Sequence, residues 1–169
     1  MDEGEASLAE VVEPIDTRIR LRELQKDDAR VFFTINDGEF RDYQNNNRDW
    51  RLCSEKMRNI IDAGRSPSDC LGWLPVTVRR RRKRLTYFAL HFTAVKPLRS
   101  ILDMRRTKVI RPSMFVVAPV LRRSGVGKHH VFTYEEDGSR WIVSDAVRGQ
   151  LVAANCTGMK FKPLGVTED

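Results

Sequence analysis

The chain has 169 residues, of which 41% are hydrophobic and 31% are charged, as in soluble globular proteins that build one hydrophobic core. No apolar run approaches the roughly 18 residues of a membrane-spanning helix, and no basic and apolar blocks of a secretory signal open the chain, so we expect a cytosolic protein without membrane contact. The net charge of +7 is uneven, because residues 1–16 carry −6 and residues 17–169 therefore carry +13.

This charge distribution predicts an acidic, flexible tail over residues 1–16 and a single α+β domain over residues 17–169. The three cysteines, Cys53, Cys70 and Cys156, are far apart, and none stands at C-x-x-C or zinc-ligand spacing. We therefore expect reduced, mostly buried thiols and neither a metal nor a cofactor.

The first half of the chain predicts two strands, a loop and a helix. The alternation of Thr17–Arg22 is typical of a half-exposed strand, and the apolar run Val31–Ile35 predicts another that ends at Asn36-Asp37-Gly38. The asparagine-rich stretch Asp42–Asp49 predicts a loop. A helix is predicted from about Trp50, with Leu52, Met57, Ile60 and Ile61 on one face and Gly64 at its C-terminal cap, followed by a break at Ser66–Asp69.

The middle of the chain predicts a hairpin with a basic connection. Trp73–Val78 and Leu85–Phe92 read as strands, joined by the six consecutive cations Arg79–Arg84. The second strand carries apolar side chains on both faces, which is typical of a strand in the centre of its sheet. Leu98–Arg105 then predicts a helical turn, and Ser113–Ala118 a strand that ends at Pro119.

The last third predicts a compact unit with few spare residues. The strands His129–Tyr134 and Arg140–Ser144 flank the turn Glu135–Ser139. Ser144 is a good N-cap for a helix whose buried face holds Val147, Leu151 and Ala154, with Asn155 in the left-handed conformation at its end. Gly158 then allows tight entry into a final strand, Met159–Leu164. The fold class that follows is α+β, a mostly antiparallel sheet with two or three packed helices.

The run Arg79–Arg84 is the strongest chemical signal in the chain, because six adjacent cations repel one another and need water or an anionic partner. A solvated hairpin loop explains the run as well as any partner does. Contact with an acidic protein surface comes next. Nucleic acid comes last, since no recognition helix or stacking aromatic motif accompanies the cations.

Other chemically suggestive residues have simpler structural explanations. Adjacent His129 and His130 on a strand face opposite sides, so we expect one packed and one exposed imidazole rather than a metal site. Cys156 has no orienting group for a nucleophile, Ser144 lacks the G-x-S-x-G context, and Gly125–Lys128 is an incomplete phosphate loop that predicts a turn. Trp50, Trp73 and Trp141 are expected as core or rim anchors.

The C-terminal pattern resembles a known family. His129-His130-Val131-Phe132, Trp141-Ile142-Val143-Ser144, the helix through Leu151 and Thr157–Leu164 are similar to the signature of immunity family eleven of bacterial polymorphic-toxin immunity proteins. The resemblance covers residues 85–164, and residues 1–70 match loosely. Related myxobacterial proteins carry two C-x-x-C-G motifs that this chain lacks, so their metal site is not implied here.

The resemblance implies a non-enzymatic protein that binds one cognate toxin and blocks it. The basic body then points to an acidic contact surface on the toxin. We expect the contact residues to be the basic run, with four further arginines as secondary candidates: Arg79, Arg80, Arg81, Arg82, Lys83, Arg84, Arg105, Arg106, Arg122 and Arg123. The rival hypothesis is a nucleic-acid-binding or regulatory protein that uses the same run, and an enzyme is a distant third.

Overall fold

The computed structural model describes residues 33–34, 38–44, 46, 50–94, 98–112, 115–134 and 141–168, all of which belong to the unit Phe32–Asp169. The predicted acidic tail, the strand Thr17–Arg22 and the turn Glu135–Ser139 lie outside these residues. Within the described part of the chain, no helix is long and apolar enough to span a membrane.

Five strands form the main sheet. They are β1 (Phe33–Thr34), β2 (Tyr43–Gln44), β3 (Leu52–Cys53), β4 (Leu71–Arg80) and β5 (Lys83–Phe92). Their order is β1-β4-β5-β3-β2, and the neighbouring strands are antiparallel except for β1, which runs parallel to β4. The predicted α+β class with a mostly antiparallel sheet is confirmed.

The long β4–β5 hairpin is the backbone of this sheet. It pairs in register from Leu71 opposite Phe92 to Arg80 opposite Lys83. Its second strand, β5, is the central strand of the sheet as predicted, and it buries Tyr87 and Ala89 on one face and Leu90 and Phe92 on the other. The prediction of a loop over Asp42–Asp49 is wrong at Tyr43–Gln44, because these residues pair with β3.

Helix α1 (Glu55–Gly64) begins later than predicted. The Ser54 side chain accepts a hydrogen bond from the Met57 N–H and so fixes the first turn at Glu55. Leu52 is not helical, because it pairs with Ala89 in β3. Met57 and Ile61 form the buried face of the helix as predicted.

The remaining elements that the structure describes follow β5 in the chain. They are α2 (Leu98–Ile101), β6 (Lys108–Ile110), β7 (Phe115–Ala118), β8 (Val120–Arg122), α3 (Arg123–Val126), β9 (Val131–Phe132), β10 (Ile142–Val143), α4 (Asp145–Ala153) and β11 (Gly165–Thr167). Antiparallel pairs form between β6 and β7 and between β9 and β10, and β8 pairs in parallel with β11.

The predicted caps of α4 are confirmed, and the predicted last strand is wrong. Ser144 accepts a hydrogen bond from the Val147 N–H, and Asn155 has a φ of 51° at the end of the helix. Residues 159–164 form no strand, since a strand needs a partner and this segment pairs only from Gly165 onward, as β11. The segment Met159–Leu164 is therefore irregular.

Two clusters of buried apolar side chains lie among the residues that the structure describes. One lies between the sheet and helices α1 and α4 and contains Cys53, Met57, Ile61, Leu71, Leu90, Phe92, Val131, Val147 and Leu151. The other contains Ile101, Leu102, Val116, Leu121, Phe132 and Tyr134. Adjacent residues of β9, Val131 and Phe132, belong to different clusters because successive strand side chains point to opposite faces.

The buried carboxylate of Asp69 links the long hairpin to the C-terminal unit. Its side chain is 0% exposed, and it accepts hydrogen bonds from the backbone N–H groups of Ser66, His130 and Val131 at 2.8–3.2 Å. The Nδ1 atom of His129 lies 3.0 Å from the same carboxylate. One side chain thus fixes the turn before β4 and the start of β9.

We expect Asp69→Asn to lower the free energy of unfolding by about 2–4 kcal/mol, because the amide presents a donor to backbone donors and leaves buried N–H groups unsatisfied. Urea unfolding at pH 7 measures the loss. The matched change Asp145→Asn, at a carboxylate that is 93% exposed, should cost about 0.5 kcal/mol or less. Equal losses in the two variants would contradict the role given to Asp69.

Candidate functional site

The tip of the β4–β5 hairpin forms an open, basic groove. Four consecutive cations, Arg80–Lys83, line it together with Glu39 and Phe40, and its volume is about 690 Å³. The two-residue connection is Arg81-Arg82, since Arg80 and Lys83 are the last paired residues of the strands. The predicted basic connection between two strands is thereby confirmed, whereas its role in binding stays a prediction.

The hairpin register divides the basic run between two faces of the sheet. Arg79 lies opposite Arg84, and Arg80 lies opposite Lys83. Because successive side chains alternate, these two pairs point to opposite faces. Arg80 and Lys83 line the groove with the two turn residues, and Arg79 and Arg84 do not. The six cations are therefore not one continuous contact surface.

The tip stores unfavourable energy in two ways. Directly opposed like charges destabilise a strand pair, and the hairpin ends with two such pairs. In addition, Arg81 has a φ of 52°, in the left-handed region where glycine and asparagine are better tolerated than a long side chain. Strain of this kind accumulates at sites where the side chain is needed for something other than stability.

An aromatic residue forms one wall of the groove and positions one of its cations. The Phe40 ring stacks on Tyr87, with 6.3 Å between the ring centroids, and the Lys83 ammonium lies 5.6 Å from the Phe40 centroid. Tyr87 donates a hydrogen bond to the Arg41 carbonyl at 2.7 Å, and burial raises the pKa of its hydroxyl to about 12. Tyr87 thus ties the segment with Glu39 and Phe40 to the central strand.

The Asp42 carboxylate fixes the other end of this segment. It accepts hydrogen bonds from the Ser54 hydroxyl at 2.7 Å and from the Thr157 N–H at 2.9 Å, and the Lys56 ammonium lies 3.0 Å away. Burial by itself raises the pKa of Asp42, but the hydrogen bonds from Ser54, Thr157 and Lys56 together outweigh it and hold the pKa below the usual 3.8. The Thr157–Gly158 turn, part of the C-terminal signature, therefore helps to fix the segment that carries Glu39 and Phe40.

Gly158 is part of the same contact between the C-terminal unit and the segment around Asp42. Its φ of 91° suits glycine, and a Cβ atom there would approach the Tyr43 carbonyl oxygen far inside contact distance. The Tyr43 N–H donates to the Thr157 carbonyl at 2.9 Å. A side chain at position 158 would therefore separate the C-terminal unit from the strand that follows Phe40.

The four secondary arginines lie on other elements. Arg105 and Arg106 follow α2, and Arg122 and Arg123 stand where β8 meets α3, around the second apolar cluster. Arg123 is engaged by Glu168, 2.6 Å away. The hairpin tip lies about 30 Å from the other end of β4, which is next to Asp69, at roughly 3.3 Å per residue. The second apolar cluster is connected to that Asp69 end of β4 through β9.

The remaining candidates are structural in this arrangement. His129 contacts Asp69, and the Nδ1 atom of His130 lies 3.2 Å from the Ser144 hydroxyl, so both imidazoles are half-buried and the expectation of one exposed histidine is wrong. Burial raises the pKa of the Cys156 thiol, which disfavours a nucleophilic thiolate. Among the residues that the structure describes, no group of three or more potential ligands is placed to hold a metal.

The cysteines are free, as predicted, but only Cys53 is fully buried, while Cys70 is exposed and Cys156 is half-buried. Sequence reasoning also missed Glu39, Phe40 and Asp69 as parts of the site and its support. A single aromatic residue between two charged ones gave no periodic signal, and Asp69 read as an ordinary turn residue.

Comparison with known proteins gives one positive result. The family model described as Immunity protein family (Imm11) matches residues 7–166, nearly the whole chain and more than the C-terminal resemblance alone covered. No curated protein and no solved structure matches the chain.

We expect Asp42→Asn to make stability less sensitive to acid. The pKa of the folded state lies below 3.8, so the carboxylate stabilises the fold above about pH 4, and this contribution disappears as the pH falls through the folded pKa. Urea unfolding at a series of pH values should show a shallower decline for Asp42→Asn. Lys56→Met, which removes one of the hydrogen bonds, should give an intermediate slope, and an unchanged slope in Asp42→Asn would refute this role.

Arg81→Asn should raise the free energy of unfolding by about 0.5–1 kcal/mol, because asparagine tolerates the left-handed conformation better than arginine does. The control is Arg82→Asn, which makes the same change in charge at the neighbouring turn residue. Denaturation at fixed ionic strength compares the two variants. Equal stabilisation by both would assign the effect to charge alone and not to the backbone of Arg81.

Proposed function

The chain belongs to the Imm11 immunity protein family, and from that premise we propose that it is a non-enzymatic inhibitor that binds one cognate toxin and blocks its active site or substrate path. The family match over residues 7–166 is the observation that carries this proposal. Such inhibition needs a stable complementary surface rather than catalytic groups. We place the interaction in the cytosol, without membrane contact.

The exposed cations support a partner of opposite charge. Arg81, Arg82 and Lys83 are exposed at the end of the hairpin, and Arg80 is half-buried beside them. These cations are accessible to a partner, and an anionic surface suits them because arginine pairs with carboxylates through two parallel hydrogen bonds. We propose that the toxin presents an acidic contact surface to Arg79–Arg84, with Arg105, Arg106, Arg122 and Arg123 as secondary contacts.

The charge of the body also bears on the kind of toxin. Nucleases are themselves basic, so a basic inhibitor suits them poorly. A toxin that acts on nucleotides, proteins or another substrate that is not a nucleic acid fits the charge better.

The rival function is nucleic-acid binding by the same cations, and one contact argues against it. Base stacking on the groove would need an open aromatic face, whereas the Phe40 ring is already engaged by Tyr87 and by the Lys83 ammonium. Phosphate neutralisation without stacking stays possible for any basic surface, and it would show a steep dependence on salt.

The test is an affinity pull-down from native lysate with two baits, the wild-type chain and a variant with Arg79–Arg84 all changed to Gln, each with and without nuclease. We expect one stoichiometric protein that survives nuclease, and that protein should arrest growth when expressed alone but not when expressed with the wild-type chain. The six-fold variant should bind it more slowly and with less sensitivity to salt, and any arginine desolvated in the complex should contribute roughly 2–5 kcal/mol.

Nucleic acid on the bait, with the proteins lost after nuclease, would reject the toxin hypothesis and favour the rival. Full affinity in the six-fold variant would leave toxin binding intact and reduce the basic run to a solvated loop.

A further inference from the structure

The groove at the hairpin tip differs from the rest of the basic run, and the difference points to the shape and chemistry of its occupant. Its lining contains four cations and one carboxylate, that of Glu39. The remaining two cations of the run, Arg79 and Arg84, point to the other face of the sheet. A partner that responds only to net charge would contact the cations on both faces of the sheet equally. A partner that enters the groove would contact only the cations on the groove face.

We infer that the groove binds an extended acidic segment of the partner protein, with its carboxylates on Arg80, Arg81, Arg82 and Lys83, and that Arg79 and Arg84 contribute only to the general field. This inference rests on the proposed function and specifies the chemistry and the face of that contact. Enclosed cavities hold small ligands, whereas an open groove such as this one admits an extended segment.

The geometry of the hairpin suits carboxylates at alternate positions of an extended chain. Arg80 and Lys83 lie directly opposite each other, so their Cβ atoms are about 4.5–5.5 Å apart. Side chains at positions i and i+2 of an extended segment are about 6.5–7 Å apart, at roughly 3.3 Å per residue, which the length of the two basic side chains accommodates.

Two residues of the groove wall adjust its affinity for anions in opposite directions. The Lys83 ammonium lies 5.6 Å from the centroid of the Phe40 ring, and carboxylate contacts gain strength beside an apolar wall. Glu39 contributes a negative charge to the same space and repels an acidic occupant. The groove is thus selective for a segment with several carboxylates.

The strained tip agrees with this assignment. Arg81 holds a left-handed conformation in which asparagine or glycine is more stable, and it is one of the residues that line the groove. A tip that served only to turn the chain has no need of a long cation at that position.

The experiment compares paired substitutions that remove the same charge from different places. Arg80→Gln with Lys83→Gln removes two of the four cations of the groove, Arg79→Gln with Arg84→Gln removes the two cations of the opposite face, and Arg105→Gln with Arg106→Gln removes two distant charges. Circular dichroism and urea unfolding first establish that each full-length variant is folded. Affinity for the toxin captured by the wild-type chain is then measured at fixed ionic strength.

We expect the groove variant to lose about tenfold or more in affinity, and each of the other two variants about threefold or less, since distant charges act mainly on association. Glu39→Gln should bind about two- to threefold more tightly, because it removes a repulsive charge. Equal losses in all three double variants, or no loss in the groove variant, would overturn the groove assignment while toxin binding by the wild-type chain leaves the proposed function standing.

A second measurement uses defined probes and the wild-type chain. Nuclear magnetic resonance titration with the blocked peptide Glu-Ala-Glu-Ala-Glu should shift the backbone signals of Glu39, Phe40 and the residues between Arg80 and Lys83. The peptide Gln-Ala-Gln-Ala-Gln should not. If oligothymidylate of the same length shifts these signals at lower concentration than the acidic peptide does, the groove is a phosphate site and the inference is wrong.

If the wild-type chain captures no toxin, the proposed function is wrong, and so is the assignment of an acidic segment of a partner protein to the groove. That failure is distinct from an equal response of the three double variants, which is measured only when the wild-type complex exists.

Discussion

The fold depends on one buried carboxylate. Asp69 ends the turn before β4, and it receives the N–H groups of Ser66, His130 and Val131, which lie far apart in sequence. A buried charge is tolerable only when its oxygen atoms are fully hydrogen-bonded, so the turn and the start of β9 must come together in one arrangement. The two apolar clusters then follow, because β9 supplies Val131 to one and Phe132 to the other.

A second carboxylate, that of Asp42, repeats this design. Asp42 joins the N-cap residue of α1, Ser54, to the turn at Thr157, and it thereby anchors the segment that carries Phe40. Both carboxylates are short side chains that collect backbone and hydroxyl donors from distant parts of the chain. Some of the residues by which the chain resembles its family contact these carboxylates: His129, His130 and Val131 contact Asp69, and Thr157 contacts Asp42.

The hairpin tip follows the opposite logic. The frame satisfies its polar groups, whereas the tip opposes like charges and places Arg81 in a left-handed conformation. A frame held by buried hydrogen bonds can carry such a tip, since eight further paired residues in each strand, from Leu71 opposite Phe92 to Val78 opposite Leu85, stabilise the hairpin.

The sequence by itself determined the elements whose causes are local. Alternation over Leu85–Phe92 identified the central strand, Ser144 the start of α4, and Asn155 its end, because each depends on neighbours within a few residues. Local patterns failed at the start of α1 and at Tyr43–Gln44, because strand pairing with distant residues overrode local preference there. They also failed at Met159–Leu164, which stays irregular because strand pairing begins only at Gly165. Only the tertiary structure decided which cations share a face, and it brought Phe40 to Lys83 and Asp69 to His129. Phe40 and Lys83 are 43 positions apart, and Asp69 and His129 are 60 positions apart, so no local sequence pattern indicates these contacts. Which cations share a face depends on the register of the hairpin, which local patterns do not indicate either.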